Sequence, residues 1–289
     1  MKIFKLSPVI AIILFLTFSC SNNDSNNPDS DILEFKNIMD VSYGADVNQT
    51  YDIYLPEGRT SETKVMILVH GGGWSSGDKS SMNYLIDLYR TNFPDIALVN
   101  INYRLSDENN PPYPMQINDI TTIVNDLKSK KNEYIISEEY GFLGASAGGH
   151  LSLLWSYAFD TGNNVNMVCS IVGPTNFLDP AYTESTDPLL QELLTAYGLN
   201  PTVEYLTEAS PLYQATSTSP PTILFYGGQD PLVPVSQGQD MADKLDELGV
   251  INEFTLYPNA GHGWGTTAEE IPLLLDTWAK ITVFTNAHL

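Results

Sequence analysis

Gly144-Ala145-Ser146-Ala147-Gly148 limits what this chain can fold into more than any other stretch, because of its flanks. Tyr140-Gly141-Phe142-Leu143 before it is a short apolar run that reads as a buried strand. His150-Leu151-Ser152-Leu153-Leu154-Trp155 after it carries apolar residues at helical spacing. Strand, G-x-S-x-G, helix is the sequence form of a nucleophile elbow. Its turn is so tight that the serine's neighbours must be small, and it lifts the hydroxyl clear of the sheet at a helix N-terminus. Ser146 is the candidate nucleophile. In this context the competing reading, an N-cap serine in a glycine-rich turn, is the weaker one.

A second segment supplies what a serine nucleophile needs. Val65-Met66-Ile67-Leu68-Val69 is an apolar strand that runs directly into His70-Gly71-Gly72-Gly73-Trp74. Acyl transfer builds negative charge on the carbonyl oxygen, so N–H donors must already point at that position. Glycines bring the main chain close, with no Cβ in the way. The expected donors are Gly72 and Gly73, together with Ala147, the residue after the nucleophile. A merely flexible loop accounts poorly for three glycines in a row between a strand and a tryptophan.

The base and the acid follow largely by elimination among four histidines. His288 is next to the C-terminus and is expected to fray. His70 opens the glycine loop and reads as its brace. His150 lies four residues after Ser146, packed beneath the turn. His262 remains, in the loop Asn259-Ala260-Gly261-His262-Gly263-Trp264 after the strand Phe254-Thr255-Leu256-Tyr257. For the acid, Asp230 follows the apolar strand Thr222-Ile223-Leu224-Phe225, at the carboxyl end where open α/β sheets place their chemistry. A turn aspartate before Pro231 and a loop-bracing histidine are the structural alternatives.

These segments resemble the α/β-hydrolase esterases and lipases that carry an H-G-G-G oxyanion motif, whose triad runs in the chain order serine, acid, histidine. Within that group the likeness is to the carbohydrate-esterase-like and kynurenine-formamidase-like branch. His70-Gly71-Gly72-Gly73-Trp74, Asn102-Tyr103-Arg104-Leu105, the Ser146 turn through His150, Ala209-Ser210-Pro211 and Gly261-His262-Gly263 carry it, over about residues 34 to 285. The resemblance implies an α/β-hydrolase fold and ester hydrolysis by Ser146, Asp230 and His262, with no cofactor. H-G-G-x-W also fits kynurenine formamidases, so that motif does not choose the substrate.

The N-terminus bears on location. Lys2 and Lys5 precede an apolar run of 11 residues, Pro8 to Phe18, too short to span a bilayer and typical of a signal peptide. Cys20 directly after Ser19 resembles a bacterial lipobox cysteine, although Thr17 and Phe18 depart from its commonest residues. The expected organisation is a signal peptide over 1–19, a disordered tether over 20–33 and one hydrolase domain over 34–289. Lipidation of Cys20 would anchor the protein to a membrane outside the cytoplasm. Losing Lys2 and Lys5 leaves 11 basic against 35 acidic residues, net −24, a surface that repels nucleic acid and offers no polybasic membrane patch. Cys169, in an apolar run, is expected to be a buried free thiol, and no cysteine or histidine cluster has metal-site spacing.

Strand-like runs fall near residues 34–42, 49–55, 65–70, 96–102, 140–145, 166–172, 222–227 and 252–257, and helical stretches near 80–91, 114–131, 147–159, 235–248 and 266–280. The alternation predicts a doubly wound, mostly parallel eight-stranded sheet. The first two strands are too close for a crossover and should form an antiparallel edge. Residues 174–220 break the rhythm as a small cap insertion holding Phe177, Tyr182, Tyr197, Tyr205 and Tyr213. With Trp74, Tyr103 and Trp264 these aromatics are candidates to line a pocket for a sugar or aryl group. For any one tyrosine, ordinary packing is the stronger reading.

Asp119 lies beside the apolar stripe Ile120, Ile123, Val124 and Leu127, where an unpaired carboxylate is costly. A structural ion pair with Arg104 is preferred to a catalytic role. Asp78 reads as a helix cap. The whole pattern points to a serine hydrolase of polysaccharide or small-molecule esters. A lipase or peptidase of the same fold, and a glycan-binding lipoprotein without turnover, are the alternatives.

Overall fold

Val65–Val69 is apolar on both faces and Ala97–Ile101 is apolar but for Asn100, so they suit mid-sheet positions with helices covering each side, and all ten residues are buried. The computed structural model describes residues 32–195 and 201–289. The strands are β1 (Lys36–Ser42), β2 (Thr50–Leu55), β3 (Val65–Val69), β4 (Ala97–Ile101), β5 (Tyr140–Ala145), β6 (Val165–Ile171), β7 (Thr222–Gly227) and β8 (Asn252–Tyr257). Among the described residues they form an eight-stranded sheet in the order β1-β2-β4-β3-β5-β6-β7-β8. β2 pairs antiparallel with both β1 and β4, and every other pairing is parallel. This is the α/β-hydrolase fold.

The helices are α1 (Asn83–Asn92), α2 (Pro112–Tyr134), α3 (Ala147–Ala158), α4 (Pro180–Thr183), α5 (Pro188–Thr195), α6 (Val203–Glu208), α7 (Pro211–Gln214), α8 (Val235–Glu247) and α9 (Ile271–His288). One core joins Ile120 and Leu127 of α2, Leu151 and Leu154 of α3 and Met241 of α8 to one sheet face. The other joins Leu85 and Tyr89 of α1 and Ile281 and Phe284 of α9 to the opposite face. Helices α4 to α7 all fall within the 174–220 insertion.

The boundaries differ from the sequence expectation at three helices, α2 among them, which runs Pro112–Tyr134 rather than 114–131. Asp78 caps a 3₁₀ turn over Lys79–Met82, accepting the Ser80 amide at 2.8 Å, so α1 itself starts three residues late. The last helix begins at Ile271, not near 266, because the Glu270 carboxylate takes the amides of Thr266 and Thr267 and holds them in a turn. It does not fray at His288. The helix runs through that residue, the Leu289 side chain is nearly buried, and Lys64 donates to the Leu289 carbonyl. The expected signal peptide and Cys20 lie outside the described residues. Among the described residues, no helix is long and apolar enough to cross a membrane.

Candidate active site

β5 delivers Ser146 into the turn at φ 53°, ψ −121°, a conformation that costs an L-residue on the order of 1–3 kcal/mol. The surroundings hold it there. The Ser146 amide donates to Ile171 O at 2.8 Å, and its carbonyl accepts the His150 amide at 3.0 Å. Gly148 lets the turn nest against β3, since a Cβ at that position would stand 2.1 Å from Val69 O and 2.4 Å from His70 O. The packing that strains the serine thus also brings it beside the glycine loop.

His262 and Asp230 come from the loops after β8 and β7. His262 Nε2 lies 2.9 Å from Ser146 Oγ, and its Nδ1 lies 2.7 Å from Asp230 Oδ2. The other Asp230 oxygen accepts the amides of Leu232 at 2.8 Å and Val233 at 3.0 Å, which fixes the carboxylate. Its side chain is 1% exposed, whereas that of His262 is 23% exposed and open to an incoming molecule. With Nδ1–H given to the carboxylate, Nε2 is left as an acceptor for the serine proton.

The glycine loop has the backbone its sequence requires. Gly72 takes φ 118° and Gly73 φ 56°. Neither amide donates to an acceptor among the described residues. Ala147 is the first residue of α3, where the helix itself leaves the amide free. Trp74 closes the loop at φ 63°, and its carbonyl accepts from the Ser106 amide at 2.9 Å and from Gln116 Nε2 at 2.7 Å.

Of the three aromatics expected to line a pocket, Trp74 and Tyr103 turn inward instead, and Trp264 is half-buried against the core. Trp74 is fully buried, with Nε1 donating to His150 Nδ1 at 3.1 Å and its ring edge-on to Phe177. Tyr103 is fully buried, stacked on His70 with ring centres 4.3 Å apart, and donates to His70 O at 2.8 Å. Trp264 packs on Tyr257 and donates to Thr277 of α9 at 2.8 Å. In each case the polar ring atom or hydroxyl has a partner in the interior, which binds the aromatic to the core. Trp74 and Tyr103 thus shape the loops that carry the site rather than face a ligand. In the insertion, Phe177 and Tyr182 are likewise buried, Tyr205 donates to Tyr113 O at 2.6 Å, and Tyr213 is exposed. Tyr197 lies outside the described residues.

The remaining histidines brace the site. His150 is fully buried between Trp74 and Ala209 O, 2.7 Å from Nε2, and burial pushes its pKa down to about 4. His70 is also held below its ordinary value by burial, and its Nδ1 lies 2.6 Å from Gly71 O. Asp119 pairs with Arg104 at 2.6 Å and takes the Arg104 amide at 2.8 Å, clear of the Ser146–His262 pair. Burial raises the Cys169 thiol well above its usual range. Among the described residues, no cluster of His, Cys, Asp or Glu is placed to hold a metal ion.

Sequence reasoning passed over two buried glutamines. Gln116 ties Trp74 O to Arg104 O, and Gln237 takes the amides of Thr175 and Asn176 at 2.8 Å, fixing the start of the insertion. It also passed over the polar run Ser106-Asp107-Glu108, which borders the cleft beside Gly72 and Gly73. Its position directly after Asn102-Tyr103-Arg104-Leu105 was the available signal.

The BD-FAE family model matches residues 51–245, two thirds of the chain, from β2 through most of α8, and takes in both the glycine loop and Ser146. The chain belongs to the BD-FAE family. Esterase LipC of Mycobacterium tuberculosis is 25% identical over 264 residues, covering 82% of this BD-FAE chain and 64% of LipC. The chain thus spans somewhat less than two thirds of that relative's length. Among solved structures, a truncated carbohydrate esterase from gut microbiota superposes with TM-score 0.68 at 21% identity, over 89% of this chain and 99% of that one. A bifunctional GH43-CE protein of Bacteroides eggerthii gives TM-score 0.68 at 22% identity, over 84% and 38%. At these identities the superpositions speak for the fold.

Proposed function

We propose that this BD-FAE protein is a serine hydrolase of carboxylic esters. The observation that carries the reading is the unbroken chain from Asp230 through His262 to Ser146, at 2.7 and 2.9 Å, ending beside a loop with free amides. Ser146 Oγ attacks the ester carbonyl while His262 Nε2 takes its proton, and Asp230 keeps the imidazole in the required tautomer and offsets its positive charge. The amides of Gly72, Gly73 and Ala147 receive the oxyanion. The imidazolium then protonates the leaving alcohol, and an acyl-enzyme remains on Ser146. Water attacks that ester with His262 again as base, releasing the acid and restoring the serine.

The substrate we infer is an acylated sugar, outside the cytoplasm. The apolar run Pro8 to Phe18 followed by Ser19-Cys20 supports export and lipidation, and the names of the carbohydrate esterases that share this fold support a glycan ester. Hydrolysis of p-nitrophenyl acetate, lost in Ser146→Ala, tests the chemistry. A kcat/KM panel of acetylated xylan, feruloylated arabinoxylan oligomers, short triglycerides and an amino-acid amide tests the substrate. A preference of at least tenfold for a glycan ester supports the sugar reading. Equal rates on triglyceride, or a preference for the amide, remove it.

A further inference from the structure

The cleft beside the glycine loop encloses about 450 Å³, within the range of roughly 300–1,000 Å³ common for small-molecule sites. Gly72 and Gly73 line it, and so does Leu232, whose amide holds Asp230, so the cleft opens onto the Ser146 chemistry. Much of the rest of its lining is polar. Ser75, Ser106, Asp107 and Glu108 contribute to it, and Leu189 of α5 adds an apolar surface. Ser106 is buried, yet its hydroxyl has no hydrogen-bond partner among the described residues. Its backbone amide is fixed on Trp74 O at 2.9 Å, so the residue is built in rather than loosely exposed.

Asp107 is held in place as well. Its carboxylate accepts the amides of Asn109 at 2.8 Å and Asn110 at 3.0 Å, and the Asn109 bond above all keeps the carboxyl below its ordinary range. It is therefore ionised at neutral pH. No lysine, arginine or histidine lines the cleft among the described residues, so nothing there offsets the charges of Asp107 and Glu108. Carboxylates accept hydrogen bonds and do not donate them, so they suit a ligand rich in hydroxyl donors. A second carboxylate placed among these exposed carboxylates would meet like charge.

We propose that this cleft seats the alcohol arm of the ester as a neutral polyhydroxylated ring, with Ser106, Asp107 and Glu108 selecting it and excluding anionic arms. The lining mixes apolar surface with fixed oxygen acceptors, so ring hydroxyls meet its oxygens and ring C–H groups meet Leu189 and Leu232. The proposal rests on the ester-hydrolase reading above and narrows its substrate from acylated sugars in general to uncharged ones.

The test uses three acetylated methyl glycosides that share one ring and differ only at C6: the glucoside, the glucuronide and its neutral glucuronamide. For the wild-type protein, kcat/KM is expected to be at least tenfold higher on the glucoside and the amide than on the glucuronide at low salt. The gap should narrow at 0.5 M NaCl, where surface charges are screened. It should fall below threefold in Asp107→Asn/Glu108→Gln, in which the asparagine keeps an acceptor for the turn. Circular dichroism and a melting curve establish that this variant is folded. If the pair does not fold, Glu108→Gln alone is read, and its gap should be at least halved. Equal rates on the glucuronide and the amide, a gap that survives substitution, or turnover of p-nitrophenyl acetate with none of the three glycosides overturns the proposal. Absence of p-nitrophenyl acetate turnover by the wild type overturns the ester-hydrolase reading instead.

Discussion

Trp74 Nε1 donates to His150 Nδ1 across 3.1 Å, so the glycine loop and the helix that follows Ser146 share one buried hydrogen bond. The other ring nitrogen lies 2.7 Å from Ala209 O and must carry the proton, which leaves Nδ1 as the acceptor. The ring therefore has to stay neutral. A second proton on Nδ1 would face the indole N–H, and burial holds the pKa down at about 4. In the unfolded chain an ordinary histidine titrates near ~6.5. Above that pH both states are neutral and stability is complete. As pH falls towards 4 the unfolded state takes up a proton that the folded state refuses, at a cost on the order of 3 kcal/mol. Urea unfolding between pH 7 and pH 4 should show that loss, and His150→Gln should flatten it.

The same bond predicts a kinetic effect. His150→Phe keeps the apolar volume but strands the Trp74 N–H and the Ala209 carbonyl inside the core, costing about 1–3 kcal/mol for each unsatisfied group. Because the strain falls on the loop that carries Gly72 and Gly73, kcat should drop at least tenfold while KM changes little. Unfolding curves and steady-state kinetics on one preparation check this. A destabilised variant with wild-type kcat would mean that His150 holds only the fold.

Asp230 and Asp119 are both almost fully buried carboxylates with a cationic or protonatable partner, but their surroundings give them different work. Asp230→Asn leaves one oxygen for the Leu232 and Val233 amides but turns an amide N–H toward His262 Nδ1, forcing the wrong tautomer, and should lower kcat by about 10⁴-fold with a small change in stability. Asp119→Asn breaks the pair with Arg104, itself about one-third exposed, and should cost about 3 kcal/mol with activity largely retained in the folded fraction. Parallel melts and kcat measurements separate the two, and the reverse pattern would exchange their roles.

Alanine at Gly72 tests the loop. At φ 118° an added Cβ would stand 2.1 Å from Ser76 O, so the main chain has to move. If its amide serves the oxyanion, Gly72→Ala should cost about 10²–10³-fold in kcat. Affinity for a boronic-acid transition-state analogue should fall in parallel, whereas affinity for a non-reactive substrate analogue should not.

Much of this arrangement was legible because its signals are local. All eight strands fell where the sequence shows strand-like runs, the central ones apolar throughout or nearly so and the edge strands β1 and β8 mixed with polar residues, and the parallel crossovers followed from the helices between them. Ser146, Asp230 and His262 stand at strand ends in a recognisable order. The orientation of the large aromatics was not legible. Whether Trp74, Tyr103 and Trp264 face a ligand or the core depends on partners far away in sequence: His150 for the first, His70 for the second and Thr277 for the third. Sequence shows that an aromatic borders a loop but not which side of the loop is filled. Gln116 and Gln237 were hidden for the same reason, since a buried glutamine is identified only by the backbone groups it satisfies. The late start of α9 came from one side chain, Glu270, competing for amides in the turn before it.

Covalent capture of the nucleophile tests the central claim most directly. The native protein is treated with a fluorophosphonate, and the intact mass and its peptides are read by mass spectrometry. The account predicts one adduct, on Ser146, that appears in step with loss of p-nitrophenyl acetate hydrolysis and is absent from Ser146→Ala. A folded protein that stays unlabelled, or an adduct on another residue while Ser146 remains free, would contradict it.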